Sequence, residues 1–227
     1  MPGPIPCACS PSEPYDSLSI HYQLNTVQDP TLASSAPVVA WHQGGPGGSS
    51  TQGGMIEMGF FQVDSNGTHI NPHAWNNVAN MLYLESPAGS GQSTGFSTCS
   101  RGGKIVDCCW DDQTQGVAYG HTLLAFLKTF PELATHDFYL AGESYFGQYG
   151  PNIAHTILSA PAAFSSIPLK GLLVGNGCWG GDATTVNCNG PNTEQNDVRS
   201  ETTMLLLCHC HCPPDRCVEA EIDETRN

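Results

Sequence analysis

The sequence predicts an α/β protein in which helices cover both faces of a mostly parallel β-sheet. Short apolar runs of strand length recur along the chain, and segments with a helical spread of apolar residues separate them. Loops rich in glycine or in turn-forming residues follow the apolar runs directly. Because such sheets carry their sites at the carboxyl ends of the strands, we expect these loops to build one site from separated segments.

The strands and helices follow one another in a regular order. Residues 17–25 alternate between apolar and polar side chains, which predicts a half-buried strand. Residues 43–50 contain so many glycines that they predict a loop. Buried strands are predicted at 38–41, 80–85, 137–141 and 170–176, and helices at 112–130 and 148–158.

Three regions differ in composition. Residues 1–16 are rich in proline and serine and predict a loose leader, whereas residues 17–180 carry the strands and helices of a partial α/β domain. Residues 181–227 predict an irregular, cysteine-rich and acidic tail. A chain of 227 residues can build one domain or part of a larger one.

The charge and hydropathy of the chain exclude several classes of partner. The formal net charge is −14, which argues against binding to nucleic acid or to an anionic membrane surface. No stretch approaches the roughly 20 apolar residues that a membrane-spanning helix needs, so we expect no membrane insertion. The sequence leaves the oligomeric state open.

The cysteines indicate an oxidising compartment. The chain has 11 cysteines, and Asn66 begins an N-glycosylation acceptor triplet. Residues 1–4 nevertheless lack the basic start and apolar core of a secretory signal. Our hypothesis is a secretory-pathway protein, vacuolar, lysosomal or extracellular, whose gene model has lost its true beginning.

Ser144 has the sequence context of a nucleophile. It follows a buried apolar strand and precedes a segment whose small and apolar residues suit a helix. On a sharp turn between strand and helix, a serine hydroxyl projects from the backbone, and the next N–H lies at the positive end of the helix. This is the geometry that acyl transfer requires, although a Gly-x-Ser turn is by itself a common pattern.

Four blocks of residues together resemble one enzyme family. Residues 41–50 read WHQGGPGGSS, residues 80–89 read NMLYLESPAG, residues 142–145 read GESY and residues 171–177 read GLLVGNG. In this order and at this spacing they resemble the signature blocks of the serine carboxypeptidases, over about residues 17–180. The resemblance implies an α/β-hydrolase fold and a serine-type carboxypeptidase, which removes C-terminal residues from peptides, usually at acidic pH. No cofactor and no metal ion are expected at its site.

The resemblance assigns the catalytic roles. Ser144 would attack the scissile carbonyl and form an acyl-enzyme. The backbone N–H groups of Gly45 and Tyr145 would hold the oxyanion, where preorganised donors act on charge that develops in the transition state. A glycine suits the first position because the backbone must approach the substrate closely.

The resemblance also assigns Gln43, Glu57 and Glu143 to the free carboxylate of the substrate. Two close carboxyls share a proton, so each raises the pKa of the other, and the protonated one can donate a hydrogen bond to an anion. Binding should therefore weaken as the pH rises. Three residues depart from the family: Gln43 replaces an asparagine, Gly48 stands where the family often has a cysteine, and Phe146 replaces an alanine, where we expect it to crowd the packing of the turn.

A serine nucleophile also needs a general base and a carboxylate that orients this base. In the resembling family both lie far downstream of the serine. After Ser144 the histidines are His155, His209 and His211. His155 falls about 16 Å along the predicted helix, so we expect it on the helix surface. The chain is thus expected to be an N-terminal part of the enzyme, without the C-terminal strands and the downstream Asp and His.

Two other functions remain open. The chain could be a non-catalytic peptide-binding derivative of the same fold, or the tail could hold zinc through soft ligands. We prefer an out-of-frame or intron-derived end because the C-x-C-x-C spacing is not that of a zinc site. Cys178 and Cys188 could close a small disulfide loop. The candidate ligands in the tail are Cys208, His209, Cys210, His211, Cys212 and Cys217.

Overall fold

A computed structural model describes residues 15–89, 97–106 and 108–178, together with short strands at 181–182, 185–186 and 207–208. In chain order the strands are β1 (Ser17–Ser19), β2 (Tyr22–Asn25), β3 (Val38–His42), β4 (Phe61–Asp64), β5 (Gly67–Ile70), β6 (Asn80–Leu84), β7 (Thr98–Arg101), β8 (Lys104–Val106), β9 (Cys109–Trp110), β10 (Phe138–Glu143), β11 (Leu169–Gly175), β12 (Gly181–Asp182), β13 (Thr185–Val186) and β14 (Leu207–Cys208). The helices are α1 (Ser50–Ile56), α2 (Asp112–Thr129), α3 (Phe146–Ser159) and α4 (Pro161–Phe164), with 3-10 turns at Pro30–Leu32, Trp75–Asn77 and Pro131–Leu133.

The central sheet has five strands in the order β11-β10-β3-β6-β2. The first four are parallel, and β2 pairs antiparallel with β6 at one edge. Leu140 of β10 lies opposite Ala40 of β3 and Leu172 of β11 in this register. The carboxyl ends of β3, β6, β10 and β11 therefore meet at one edge of the sheet, as the sequence predicts.

Helices pack on both faces of the central sheet. Val38 and Ala40 face the larger core, which α2 and α3 cover with Tyr119 and Ile153 among others. Val39 and Trp41 face the opposite side, where α1 lies on the sheet and Gly54 rests against the ring of Tyr83. Because β3 is buried on both faces, it reads as the continuous apolar run that parallel strands show.

Local sequence signals explain the bounds of α2. The Asp111 carboxylate accepts a hydrogen bond from the Thr114 backbone N–H, and the Thr114 hydroxyl accepts one from the Asp111 N–H, which forms a capping box. The helix ends at Thr129, two residues before Pro131, whose ring cannot continue it. The predicted helix at 112–130 is thus confirmed to within one residue.

Smaller sheets surround the central one. β1, β7 and β8 form an antiparallel sheet, and β4 and β5 form a hairpin. A disulfide joins Cys99 of β7 to Cys108. β14 pairs with β9, so a two-residue strand lies in the tail that the sequence predicted as irregular. β12 and β13 form a second antiparallel pair in the same tail, which was also predicted to be irregular.

One predicted strand is wrong in its extent. Residues 17–25 form two strands in different sheets, because β1 pairs with β7 whereas β2 pairs with β6. The predicted leader lies outside the described residues, apart from residues 15 and 16. In the described ranges, no helix has both the length and the apolar character needed to cross a membrane.

Candidate active site

The turn between β10 and α3 holds Ser144 in an uncommon backbone conformation. Its φ is 57°, in the left-handed region that non-glycine residues rarely adopt. The Ser144 N–H donates to the Gly175 carbonyl at 3.0 Å, and the Ser144 carbonyl accepts from the N–H groups of Gly147 at 3.0 Å and Cys178 at 2.7 Å. Three backbone hydrogen bonds therefore fix this half-buried serine between the ends of two neighbouring strands.

The glycine-rich loop after β3 lies directly against this turn. A β-carbon on Gly44 would lie 2.8 Å from the Tyr145 nitrogen and 2.9 Å from the Ser144 β-carbon. Only a glycine permits this approach without displacing the turn. Gly44 has no role among the predicted site residues, although the run of glycines that contains it was the available signal.

The two predicted oxyanion donors come to the same edge of the sheet. Tyr145 immediately precedes α3, and Gly45 belongs to the loop after β3, the strand next to β10. Gly45 is exposed and has φ +119°, a conformation that favours glycine. The backbone N–H of Tyr145 lies at the positive end of the α3 dipole, which stabilises negative charge.

Gln43 joins the two predicted carboxylate-binding glutamates. Its side-chain nitrogen donates to Glu143 Oε1 at 2.9 Å and to Glu57 Oε1 at 3.1 Å. Its side-chain oxygen accepts from the Trp41 indole N–H at 2.9 Å, and an indole can only donate. Trp41 thus fixes which end of the amide faces the carboxyl groups. A β-carbon on Gly53 would overlap the Gln43 amide oxygen, so a larger residue at this point of α1 would displace the amide.

The environment of Glu57 favours its neutral form. Burial raises the pKa of Glu57, and the negative charge of Glu143 raises it further. The hydrogen bond from Gln43 opposes this shift, because it stabilises the ionised carboxylate. The balance is a raised pKa, which is what the predicted sharing of a proton requires.

A third carboxylate, Glu85, supports the glycine-rich loop from within the core. It is fully buried, and its Oε1 accepts from the Ser49 hydroxyl at 2.7 Å and from the Thr51 N–H at 2.8 Å. Ser49 in turn caps α1 through the Gln52 N–H. Glu85 therefore ties the end of β6 to the start of α1, a contact that sequence reasoning missed.

The expected crowding by Phe146 does not occur. Its ring is fully buried and occupies the space that a side chain at Gly142 would take. The same ring packs against His42, with centroids 5.8 Å apart. Gly142 therefore accommodates the larger residue.

The surroundings of the Ser144 hydroxyl contain a sulfur atom. Ser144 Oγ lies 3.9 Å from Cys178 Sγ, and no histidine among the described residues hydrogen-bonds to it. His155 is exposed on α3, as predicted, and contacts the Ser159 hydroxyl instead. Cys178 is disulfide-bonded, whereas its predicted partner Cys188 lies outside the described residues. The same is true of His209 and His211.

Within the described ranges, no group of three or more His, Cys, Asp or Glu side chains is arranged to hold a metal ion. The cysteines and histidines of the tail that suggested zinc lie outside these ranges, apart from the backbone of Cys208. Zinc binding by the tail therefore stays an untested alternative.

Comparison with protein-family models gives a match over most of the chain. Residues 13–225 match the family described as serine carboxypeptidase. Serine carboxypeptidase-like 40 of Arabidopsis thaliana is 43% identical over 145 residues, which cover 63% of this chain and 27% of the relative. Venom serine carboxypeptidase of Apis mellifera is 39% identical over 166 residues, covering 72% of this chain and 33% of the relative. The chain thus spans about a third of the length of these relatives.

A solved structure has the same fold. The crystal structure of Kex1Δp, a prohormone-processing carboxypeptidase from Saccharomyces cerevisiae, superposes with a TM-score of 0.61 and is 28% identical. The similarity covers 77% of this chain and 37% of the yeast chain. The predicted α/β-hydrolase class, with its mostly parallel sheet, is confirmed.

Proposed function

Because the chain belongs to the serine carboxypeptidase family, we propose that it supplies the nucleophile and the carboxylate-recognition groups of a serine-type carboxypeptidase. The substrate would be a peptide, from which hydrolysis releases the C-terminal residue. The observation that carries this proposal is the Gln43 amide, which joins Glu57 and Glu143 next to Ser144.

Ser144 acts as the nucleophile in this proposal. Its hydroxyl would attack the scissile carbonyl carbon, and the carbonyl oxygen would take up the negative charge. The N–H groups of Gly45 and Tyr145 would stabilise that charge. The close packing of Gly44 on the turn supports a rigid arrangement of the two loops, which such donors need.

The carboxylate of the substrate would bind at Gln43, Glu57 and Glu143. A protonated Glu57 can donate a hydrogen bond to it, and the raised pKa of Glu57 supports such a proton at mildly acidic pH. At higher pH Glu57 ionises and repels the anion. Binding of the peptide should therefore weaken as the pH rises.

We assign the chain to the secretory pathway, in a vacuole, a lysosome or the extracellular space. The Cys99–Cys108 disulfide and the disulfide-bonded Cys178 support an oxidising compartment. Asn66 is exposed in the turn between β4 and β5, which an attached glycan requires. The division into a leader, an α/β domain and a tail remains part of the proposal.

The second candidate function is peptide binding without turnover. The supporting observation is that no histidine of the described residues contacts the Ser144 hydroxyl. A serine without a base would still leave the carboxylate-binding groups in place. The two candidates differ in one property, which is whether Ser144 reacts covalently.

The test uses the whole 227-residue chain and a fluorophosphonate probe. The chain is incubated at acidic and neutral pH, and the labelled residue is mapped by mass spectrometry. The matched controls are Ser144→Ala and Ser159→Ala, since the Ser159 hydroxyl already contacts a histidine. Labelling that Ser144→Ala abolishes and Ser159→Ala preserves supports the enzyme. A folded chain that stays unlabelled but binds a peptide supports the non-catalytic candidate.

A further inference from the structure

His42 links the carboxylate-binding Gln43 to the opposite face of the central sheet. It is the last residue of β3, its side chain is fully buried, and Gln43 follows it directly. Its Nδ1 lies 2.7 Å from the Gln43 carbonyl oxygen, and its Nε2 lies 3.2 Å from the side-chain nitrogen of Gln115 in α2. A carbonyl oxygen can only accept, so Nδ1 carries the proton and Nε2 accepts from Gln115.

The ring of His42 has little freedom to change this arrangement. It packs against Tyr149 at a centroid distance of 4.4 Å, Tyr119 at 5.4 Å and Phe146 at 5.8 Å. These three rings belong to α2 and α3. The two helices therefore hold the ring, and the ring holds the carbonyl of Gln43.

Gln43 is fixed at two further points by other elements. Its backbone N–H donates to the Ser50 hydroxyl at 3.1 Å, and its side-chain oxygen accepts from Trp41. With the His42 contact, both ends of its backbone and one end of its side chain are hydrogen-bonded. The Gln43 amide nitrogen donates to Glu143 at 2.9 Å and to Glu57 at 3.1 Å. A small rotation of the Gln43 backbone would therefore move this nitrogen away from the two carboxyl groups.

We propose that His42 and Gln115 are positioning residues for Gln43, and that they set how strongly the site prefers a free C-terminal carboxylate to an amide. The inference rests on the proposed function, since it concerns the same carboxylate-binding groups. Neither residue touches the substrate. They act by fixing the orientation of the Gln43 backbone: α2 and α3 hold the His42 imidazole, and the imidazole hydrogen-bonds to the Gln43 carbonyl.

A purely structural role of His42 in the core would have a different consequence. If the His42 ring only filled space, its replacement would lower stability or weaken all ligands alike. A positioning role changes the ratio of two affinities, because the acid and the amide differ only in the group that Gln43, Glu57 and Glu143 contact. The ratio is therefore the informative quantity.

The experiment measures the affinity of the full chain for a dansylated dipeptide ending in leucine, as the free acid and as the C-terminal amide, by fluorescence titration at pH 5. His42→Phe keeps the aromatic ring and removes both nitrogens. Gln115→Met keeps the length of the side chain and removes the amide. His42→Asn restores a donor close to the position of Nδ1. His121→Phe is the control, since His121 is exposed on α2 and packs against Phe164.

We expect the acid-to-amide preference to fall about fivefold or more in His42→Phe and about threefold in Gln115→Met, as the loss of one hydrogen bond predicts. His42→Asn should stay within about twofold of the unmodified chain, like the control. An unchanged preference in a folded Gln115→Met and a folded His42→Phe overturns the inference. If the unmodified chain itself fails to distinguish acid from amide, the proposed function is wrong instead.

Discussion

His42 and Gln43 are adjacent in sequence but belong to two different polar environments. The side chain of Gln43 is half-buried on the α1 side of the sheet, and its hydrogen bonds reach Trp41, Glu57 and Glu143. The side chain of His42 is fully buried on the other side, between α2 and α3. Because side chains alternate along a strand, the Gln43 cluster, which we propose is substrate-facing, is separated from an interior cluster around His42.

The interior cluster is less completely hydrogen-bonded than the substrate-facing one. Polar atoms of this cluster that are buried with no hydrogen-bond partner among the described residues include Asp112 Oδ1, Gln115 Oε1, Tyr119 Oη and Tyr145 Oη. Burial raises the pKa of Asp112 to about 7 and lowers the pKa of His42 to about 4. Both shifts favour the neutral form, since a charge without water is costly. In the interior cluster a change of charge therefore costs stability, whereas Glu57 in the Gln43 cluster is only half-buried and can gain or lose a proton at a smaller cost.

We expect the largest effect on Ser144 reactivity from a substitution at Gly44, which follows His42 and Gln43 in the sequence. In Gly44→Ala the methyl group would lie 2.6 Å from the Glu143 carbonyl oxygen and 2.8 Å from the Tyr145 nitrogen. The two loops must then separate, so labelling of Ser144 by the fluorophosphonate should slow by at least about 100-fold. Gly67→Ala is the control, because nothing lies within 4 Å of the added carbon and the same substitution is therefore made without a clash. Equal labelling rates in both variants would contradict the account.

His42 should give the chain an acid-sensitive stability. Its pKa is about 4 in the folded chain against 6.5 for an exposed histidine, so stability is complete above about pH 6.5 and is lost as the pH falls towards 4. The loss is about 3 kcal/mol. The groups around the ring, Gln43, Gln115, Tyr119, Phe146 and Tyr149, carry no charge that would offset it.

Urea unfolding of the chain and of His42→Phe at pH 4.5 and pH 7.5 measures this loss. The free energy of unfolding should fall with acid in the unmodified chain and change less in the variant. The same acid dependence in both proteins would show that His42 is not its source.

Asp112, in the same cluster, should make the stability of the folded chain depend on pH in the opposite direction. Burial and the neighbouring Asp111 raise its pKa to about 7, so the folded chain loses stability as the pH rises through that value. Asp112→Asn cannot ionise and should be more stable than the unmodified chain by about 2 kcal/mol at pH 8, with a smaller difference at pH 5. Thermal unfolding at the two pH values measures the difference. A variant that is less stable at pH 8 would contradict the assignment.

Most of the central sheet and helix α2 can be predicted from the sequence, because the patterns that indicate them involve residues close together in the chain. The strands β3, β6, β10 and β11 are apolar runs, and α2 carries its own capping residues and a proline after its end. Helix α1 gave no such signal, because the residues that it buries are Ser50, Thr51, Gly53 and Gly54 rather than large apolar side chains. The β4–β5 hairpin is largely exposed, so its strands lack the alternation of a half-buried strand.

The sequence predicted which residues form the candidate site, but not the contacts that hold these residues in place. Gln43, Glu57 and Glu143 come together as the resemblance implied. The contacts of Trp41, Glu85, His42 and Gln115 depend on residues distant in sequence, which no local pattern reveals. The Cys99–Cys108 disulfide likewise depends on where β7 lies.

The smallest expected effect is on the substrate-facing side. Glu57→Gln keeps a hydrogen-bond donor at every pH, so the preference for the free acid over the amide should no longer depend on pH. At pH 8 the variant should bind the acid about tenfold more tightly than the unmodified chain does, because it removes one negative charge. Fluorescence titration with the dansylated acid measures this. Asp64→Asn on the exposed hairpin is the control, since it removes an equal charge outside the Gln43 cluster.

The most direct test of carboxylate recognition is the acid-to-amide preference of the unmodified chain, measured from pH 5 to pH 8. The substrate carboxylate is ionised throughout this range, since its own pKa is about 3.5. If Glu57 and Glu143 share a proton, the preference should be largest at pH 5 and fall about tenfold by pH 8, as Glu57 loses its proton. A preference that is absent, or that stays the same at every pH, would contradict the role given to these glutamates.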